Sequence, residues 1–585
     1  MNPGPRTAAP LAPAPAPRSL ASVAILMSLV ASLAACGGGG GDSTPAPAPA
    51  PAPAPGPAVA ACKDSDITIP VQAAAPAPGP APSSLGGIVV SGRAVYEFVP
   101  GTVANGLNHL AAADKPIRGA TVQVIASPAL TVIATTTTDA LGNYSVGIGA
   151  SQTITVRVRA EMKRTGSPNG DRDFTVLDNT SAGGNAVYAL DSTSFTPAIN
   201  TTQNLRAASG WTGTSYGAAR AAGPFSILDV VYAAQAKVAT AAPAVNLPPL
   251  KLYWSVNNRP ATPFDAITGA IITSFFSASP SRALYILGAA DTDTDEYDTH
   301  VVAHEFGHYL QSAISRDDSP GGSHGSGDKL DARLAFSEGW GNGWSGIALA
   351  DPVYIDSNGM SQSRSFSFDV SSPATNTDRG WYSETAGQYL VWNSAQTFGF
   401  PTVYAALTGL KAAPALSSLY SFASAIRVAA AANAAAVTTL WSSQNIVAQT
   451  PCGDGETNNG GPPASLPIYK THTAALGTPQ TYCVDGSLDS RSDGNKLGET
   501  VYVRFAANGA HTLTLAKVSA TYSTPANTDP DFVLLKSDGT TVDALSPVLD
   551  SETLTVTLPT GTHAIAFHDF NLPSNQGSCF AFTVN

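Results

Sequence analysis

Val301-Val302-Ala303-His304-Glu305-Phe306-Gly307-His308-Tyr309-Leu310 is the stretch on which the reading of this chain turns. Val301, Val302, Phe306 and Leu310 recur at helical spacing and supply a side that can be buried. On such a helix positions i and i+4 share a face, so His304 and His308 can reach one ion. Two neutral imidazoles suit Zn2+, at metal–nitrogen distances of about 2.0–2.1 Å. Glu305, one residue after the first imidazole, lies beside such an ion without binding it and can take a proton from water there. Asp295, Glu296 and Asp298 precede the run and favour the positive end of its helix dipole. The chain has only nine histidines, and His300, His304 and His308 follow at successive steps of four, which weighs against stray surface residues.

A catalytic zinc takes three protein ligands and leaves one position open. Glu338, in Phe336-Ser337-Glu338-Gly339-Trp340-Gly341-Asn342, fits as the third. It opens a second apparent helix whose stripe of Phe336, Trp340 and Trp344 reads as core. One turn on, Asn342 can hydrogen-bond a ligand imidazole and fix its tautomer. Gly339, Gly341 and Gly343 cost a helix about 1 kcal/mol each, so two elements are expected to pack closely there. His304-Glu305-Phe306-Gly307-His308 followed by Glu338-Gly339-Trp340 resembles the gluzincin metallopeptidases, fungalysin-like enzymes in particular, over residues 285–392. The resemblance implies His304, His308 and Glu338 as zinc ligands, Glu305 as general base, and a peptide or protein substrate. The chain departs from that family in two places: Asn342 stands where the family usually has Asp, and Glu384 falls near the place of its transition-state histidine.

Around this pair of helices stand further candidates. Tyr382, before another apparent helix, is expected as the oxyanion donor. His324, in the Gly-rich stretch between the two ligand helices, has two readings, a residue lining the cleft or one facing solvent, and solvent is the plainer expectation. Asp291, Asp293, Asp295, Glu296 and Asp298 offer hard oxygen donors for Ca2+; without EF-hand spacing, a solvated acidic loop is the plainer expectation. Residues 283–287 are expected to form an edge strand beside the active-site helix, open to an extended substrate.

Outward from the centre, helical apolar spacing at Ile227, Leu228, Val231 and Tyr232, and in later stretches, marks residues 206–450 as one α+β domain. Short β-rich runs separated by turn residues mark residues 86–205 as a β-sandwich. Gly92-Arg93-Ala94-Val95 and Thr138-Asp139-Ala140-Leu141-Gly142-Asn143-Tyr144-Ser145 resemble the carboxypeptidase regulatory-like fold, which implies a non-catalytic accessory module. His109 stands alone there in a loop and is expected to be solvated. Strand patterning returns in residues 464–585, a second β-sandwich whose pattern is similar to the pre-peptidase C-terminal domain. The expected fold class is therefore multidomain, an α+β zincin-like peptidase domain flanked by two β-sandwiches.

At the N-terminus Arg6 and Arg18 precede an apolar run at residues 20–35, of signal-peptide length and short for a membrane span. Leu33-Ala34-Ala35-Cys36 resembles the bacterial lipoprotein box. That implies a signal peptide over residues 1–36 and a diacylated Cys36, with the protein exported and held to a bacterial membrane, the outer membrane or cell surface, by lipid alone. Residues 37–85 read as a Pro/Ala-rich linker, a semi-rigid spacer that buries no core. With 43% hydrophobic and 12% charged residues the rest can pack cores. The net charge of −12 repels phosphate backbones, which excludes nucleic acid as a partner; a monomer is expected. Once Cys36 carries lipid, Cys62, Cys452, Cys483 and Cys579 remain, an even set that suits two disulfides in an oxidising compartment. First and last strands of a sandwich often run adjacent, which favours Cys483 with Cys579 and leaves Cys62 with Cys452, although four cysteines permit three pairings. The rival to a hydrolase is an anchored binding protein whose zincin domain is structural and inactive. Glu305 separates the two, because binding alone has no need of it.

Overall fold

The computed structural model describes residues 58–72, 87–457, 466–488, 494–521 and 527–585. Cys36 and the apolar run before it lie outside these residues. In Ile154–Arg159 every second residue (Ile154, Val156, Val158) is fully buried while Thr155, Arg157 and Arg159 are partly exposed, the mark of a strand with one face on a core. This strand sits in a four-stranded antiparallel sheet with Ala189–Asp191, Thr121–Ala126 and Thr131–Thr137. A second sheet centres on Ile88–Phe98, which pairs antiparallel with Asn143–Ile148 and Ala113–Pro116 and parallel with Thr201–Thr202 and Leu205–Ala207. Val90, Ala94, Val122, Val124, Tyr144 and Val156 are buried among these strands.

A six-stranded mixed sheet follows, in the order Ala186–Val187, Arg172–Asp178, Leu250–Trp254, Ala283–Ile286, Phe275–Ser277, with Glu161–Arg164 beside Arg172–Asp178. On one face of its three parallel strands Phe174, Val176, Leu252, Leu284 and Ile286 are fully buried, while Lys251 on the other face of the middle strand is exposed. Two expectations change here. Residues 161–187 join this sheet before the chain returns to the sandwich in Ala189–Asp191 and Leu205–Ala207, so the sheets do not divide at residue 205. Nor is Ala283–Ile286 an edge: it pairs with Leu250–Trp254 on one side and Phe275–Ser277 on the other. Period-two alternation reports that a face is buried and says nothing of which strand lies alongside. The edge belongs to Phe275–Ser277.

Seven helices are described: α1 (Gly223–Ala241), α2 (Thr299–Ile314), α3 (Ala332–Leu349), α4 (Glu384–Phe398), α5 (Phe400–Gly409), α6 (Leu419–Ala429) and α7 (Ala434–Ser442). α1 has proline in its first turn, where no N–H partner is lost, and buries Phe225, Ile227, Leu228 and Val231. Asp331 caps α3 by accepting from the Arg333 N–H at 2.9 Å. Residues 58–72, expected to be plain spacer, pack on α6: Asp64 pairs with Arg427 at 2.7 Å, Cys62 is bonded to Cys452, and Ile67 is buried. Among the described residues no single helix is long and apolar enough to cross a membrane.

The C-terminal region is a seven-stranded sheet with its own core of Tyr482, Val503, Phe505, Leu513, Phe567 and Phe580. Thr500–Ala520 and Ser551–Asp569 run as long unbroken strands. Gly509 and Gly561 have positive φ, and the register shifts between Ala507 and Gly509. The chain bends at a bulge there instead of reversing. Cys483 lies directly opposite Cys579 on neighbouring strands and is bonded to it, so both disulfides have the expected pairing.

His563, fully buried in this sheet, accepts from the Ser537 N–H at Nδ1 (3.0 Å) and donates from Nε2 to the Ala507 carbonyl (3.1 Å). Burial holds its pKa below the ordinary value, and a proton on Nδ1 would break the first bond. Such a group contributes stability that is whole above its unfolded pKa, about 6.5, and is lost as pH falls below it. Thermal denaturation at pH 7.5 and pH 5 should therefore show a larger fall in Tm for the native chain than for His563→Gln; equal falls would mean that this ring is not a source of acid sensitivity.

Candidate metal centre

α3 approaches its neighbours backbone to backbone. A Cβ on Gly339 would stand 2.6 Å from Gly387 Cα of α4, and one on Gly343 would stand 2.7 Å from Val391 Cβ. A Cβ on Gly341 would stand 2.7 Å from the His304 ring. These are the close contacts expected from three glycines in one helix, and they seat α2 and α3 so that their functional side chains face one another. Trp340 fastens the pair by donating from Nε1 to the Gly307 carbonyl at 2.9 Å.

Three donor atoms converge between these helices. His304 Nε2 and His308 Nε2 are 2.9 Å apart, and Glu338 Oε2 lies 3.2 Å from the first and 3.5 Å from the second. The other ring nitrogens are occupied. His304 Nδ1 donates to Asn342 Oδ1 at 2.8 Å, and His308 Nδ1 is 3.3 Å from Ser337 Oγ. Asn342 is itself aimed by its amide, which donates to Gln388 at 3.2 Å. Each imidazole thus presents Nε2 inward, the arrangement a ligand histidine needs. The donor set, two imidazole nitrogens and one carboxylate oxygen in a group of three, fits a zinc-type ion with an open position. Burial acts against charge on both His308 and Glu338, yet their mutual attraction outweighs it. His308 is held up to about 9, and the charges of His324 and His308 hold Glu338 well below the usual carboxylate range.

Glu305 is buried beside this group, and burial raises its pKa against the pull of His304 and His308. The centre lines a cleft of about 980 Å³ whose walls include Phe276 from the edge strand and Tyr354 and Phe368 from the opposite side.

Two of the expected residues stand elsewhere. Tyr382 is buried in the core, its hydroxyl donates to the Arg379 carbonyl at 3.1 Å, and it does not line the cleft; its placement before α4 turns the ring inward. His324, though exposed, lines the cleft. Its Nε2 lies 3.3 Å from Glu338 Oε2 and its Nδ1 2.7 Å from Glu384 Oε2. Its loop is held by the C-terminal module, where Asn495 donates to the Gly321 and Ser323 carbonyls (2.8 and 3.1 Å) and Lys496 Nζ to the Ser323 carbonyl (2.7 Å). Ser337 and Gln388, which aim the ligands and their partners, carried no signal beyond their adjacency to Glu338 and to Gly387. His300 is buried and bonds the Asp351 carbonyl at 3.1 Å, away from the centre. His109, expected to be solvated, stacks on Trp211 with ring centroids 3.7 Å apart.

No family model matches the chain, and no curated protein matches it. Among solved structures it is similar to the pre-peptidase C-terminal domain of a collagenase from Bacillus anthracis, at 9% identity and a TM-score of 0.14, over 20% of this chain and 94% of that one. It is also similar to a 9R-lipoxygenase from Cyanothece, at 8% identity and a TM-score of 0.14, over 28% of this chain and 25% of that one. A β-glucosidase from Paenibacillus barengoltzii follows at 18% identity and a TM-score of 0.10, over 20% of this chain and 12% of that one. The chain thus spans a quarter or less of the latter two proteins. TM-scores of this size assign no fold.

Gly341→Ala tests the helix packing. The added methyl must displace the His304 ring, so zinc affinity, read by competition with a chromophoric chelator, should fall by at least about tenfold, the scale of lost ligand support. An unchanged affinity would show that this contact does not seat the imidazole.

Proposed function

We propose that the chain is a zinc-dependent peptidase of the gluzincin kind, with a zincin-like central domain and with His304, His308 and Glu338 as the metal's ligands. The observation that carries the reading is the convergence of the two Nε2 atoms and Glu338 Oε2 within 3.5 Å of one another, with Glu305 buried at their side. Zinc bound there would supply a Lewis acid for a scissile carbonyl and would lower the pKa of water to about 7. Glu305 takes the proton from the attacking water and returns it to the leaving amine; its burial-raised pKa suits a group that must both accept and give. His324, oriented through Nδ1 by Glu384, presents Nε2 to the cleft as the donor for the developing oxyanion, in place of Tyr382. An extended substrate lies along the edge strand Phe275–Ser277, which carries the main-chain role expected of residues 283–287. Export and anchoring through Cys36 belong to the same proposal, and the two disulfides suit an oxidising compartment.

Two sets of variants test it. Glu305→Gln should abolish cleavage of a quenched fluorescent peptide library while retaining one zinc per chain, and Glu338→Ala should lose the zinc. A Glu305→Gln variant that cleaves as well as the native chain would remove the general base. His324→Ala should keep its zinc and lose about 10²–10³ in kcat, the scale of one oxyanion donor. Unchanged kcat would take His324 out of the mechanism.

A further inference from the structure

The acidic segment before α2 is not the solvated loop expected from its composition. Asp295, Glu296 and Asp298 are buried. Glu296 is answered by Arg220, which is buried with it and also donates to the Gly288 carbonyl. The aspartates are not answered in this way. One oxygen each from Asp293, Asp295 and Asp356 lie within 4.8 Å of one another. Asp356 comes from the strand Val353–Asn358, which crosses the start of α2 on the cleft wall. Oδ1 of Asp293, of Asp295, of Asp298 and of Asp356 is sealed from water without a hydrogen-bond partner, and Asp295 and Asp298 are only 3% and 2% exposed. Their second oxygens are used: Ser274 Oγ donates to Asp295, and the Ser357 N–H and hydroxyl donate to Asp298 at 2.9 and 2.7 Å. Among the described residues no side-chain cation pairs with any of the four.

Four carboxylates that each seal one oxygen from water without a partner are costly to keep ionised together, because an unpaired buried charge costs several kcal/mol. Burial raises all four pKa values, and Asp298 feels the charges of Asp356 and Asp293, which places it against the same group. What is missing is positive charge. Oxygens sharing one Ca2+ at about 2.3–2.6 Å can be at most about 4.6–5.2 Å apart, and the three aspartate oxygens meet that limit. Asp295 and Asp298 are too deeply buried for a substrate ammonium or guanidinium to reach, while Asp293 and Asp356, partly exposed on the cleft wall, leave a bare ion a way in.

We propose that Asp293, Asp295 and Asp356, backed by Asp298, form a second metal site that takes a hard divalent cation, Ca2+ by its all-oxygen donors. The ion ties the start of α2 to the strand Val353–Asn358, which also carries Tyr354, packed edge-on to His304 with ring centroids 6.4 Å apart. It thereby braces the wall of the cleft without taking part in the chemistry, and it does not depend on the identity of the ion at His304.

The test is calcium binding to the full zinc-loaded chain. Equilibrium dialysis should find a tightly held Ca2+, and added Ca2+ should raise Tm by several degrees. Asp356→Asn and Asp293→Asn should lose that rise, while Asp291→Asn, on the same segment but outside the group, should keep it. Because either substitution removes a repelling charge, Asp356→Asn without calcium should be at least as stable as the native chain without calcium. No bound Ca2+ in the native chain, an equal rise in Asp356→Asn, or an Asp356→Asn chain less stable than the native one in the absence of calcium would each overturn the proposal.

Discussion

The structure depends on a backbone approach that only glycine permits. α3 lies so close to α2 and α4 that a single methyl at Gly339, Gly341 or Gly343 meets a neighbour at 2.6–2.7 Å. Interiors are packed to crystal density, and such contacts leave no slack to absorb an added atom. The cost of three glycines in one helix, about 1 kcal/mol each, is offset by bringing Glu338 within 3.2–3.5 Å of two imidazoles from another helix. Trp340 and Trp344, fully buried on the same helix, fill the space on the other side and keep the approach fixed.

Charge is distributed with the same economy. Inside the cleft the imidazoles and carboxylates answer one another: His308 is raised to about 9, and Glu338 is held down. A short distance along the wall, Asp293, Asp295, Asp298 and Asp356 lack any such partner. The two regions share one cavity and the strand that carries both Tyr354 and Asp356, so a cation held at the second would stiffen the wall of the first. The C-terminal module enters by a different route. Asn495 and Lys496 hold the loop that carries His324, which makes the module part of the cleft's construction.

The local part of this was legible in the residues. His304, Glu305 and His308 are fixed relative to one another by helix periodicity, and Asn342 stands one turn after Glu338, so a contact with a ligand imidazole was expected from spacing, while the choice of His304 comes from the packing of α3 on α2. The nonlocal part was not. His324 and Glu384 meet across 60 residues of chain, brought together by loop anchors that leave no period in the sequence. The edge strand was misplaced by one position because burial alternation cannot name a strand's neighbours. Residues 161–187 look like sandwich strands for the same reason, yet they build the sheet behind α2. Gly509 and Gly561 bend two long strands without ending them, because a glycine with positive φ serves a bulge as readily as a turn. In the acidic run, composition suggested solvent, while the buried carboxylates facing Asp356 depend on a strand that lies some sixty positions away in the chain.

The central claim is that two imidazoles and one carboxylate of this chain hold zinc. Zinc K-edge absorption on the full-length protein, purified without added metal or affinity-tag nickel, tests it most directly. The claim predicts one zinc per chain, nitrogen and oxygen neighbours at about 2.0–2.1 Å, and the outer-shell scattering of two imidazole rings. Absence of zinc, or a first shell containing sulfur at about 2.3 Å, would contradict it.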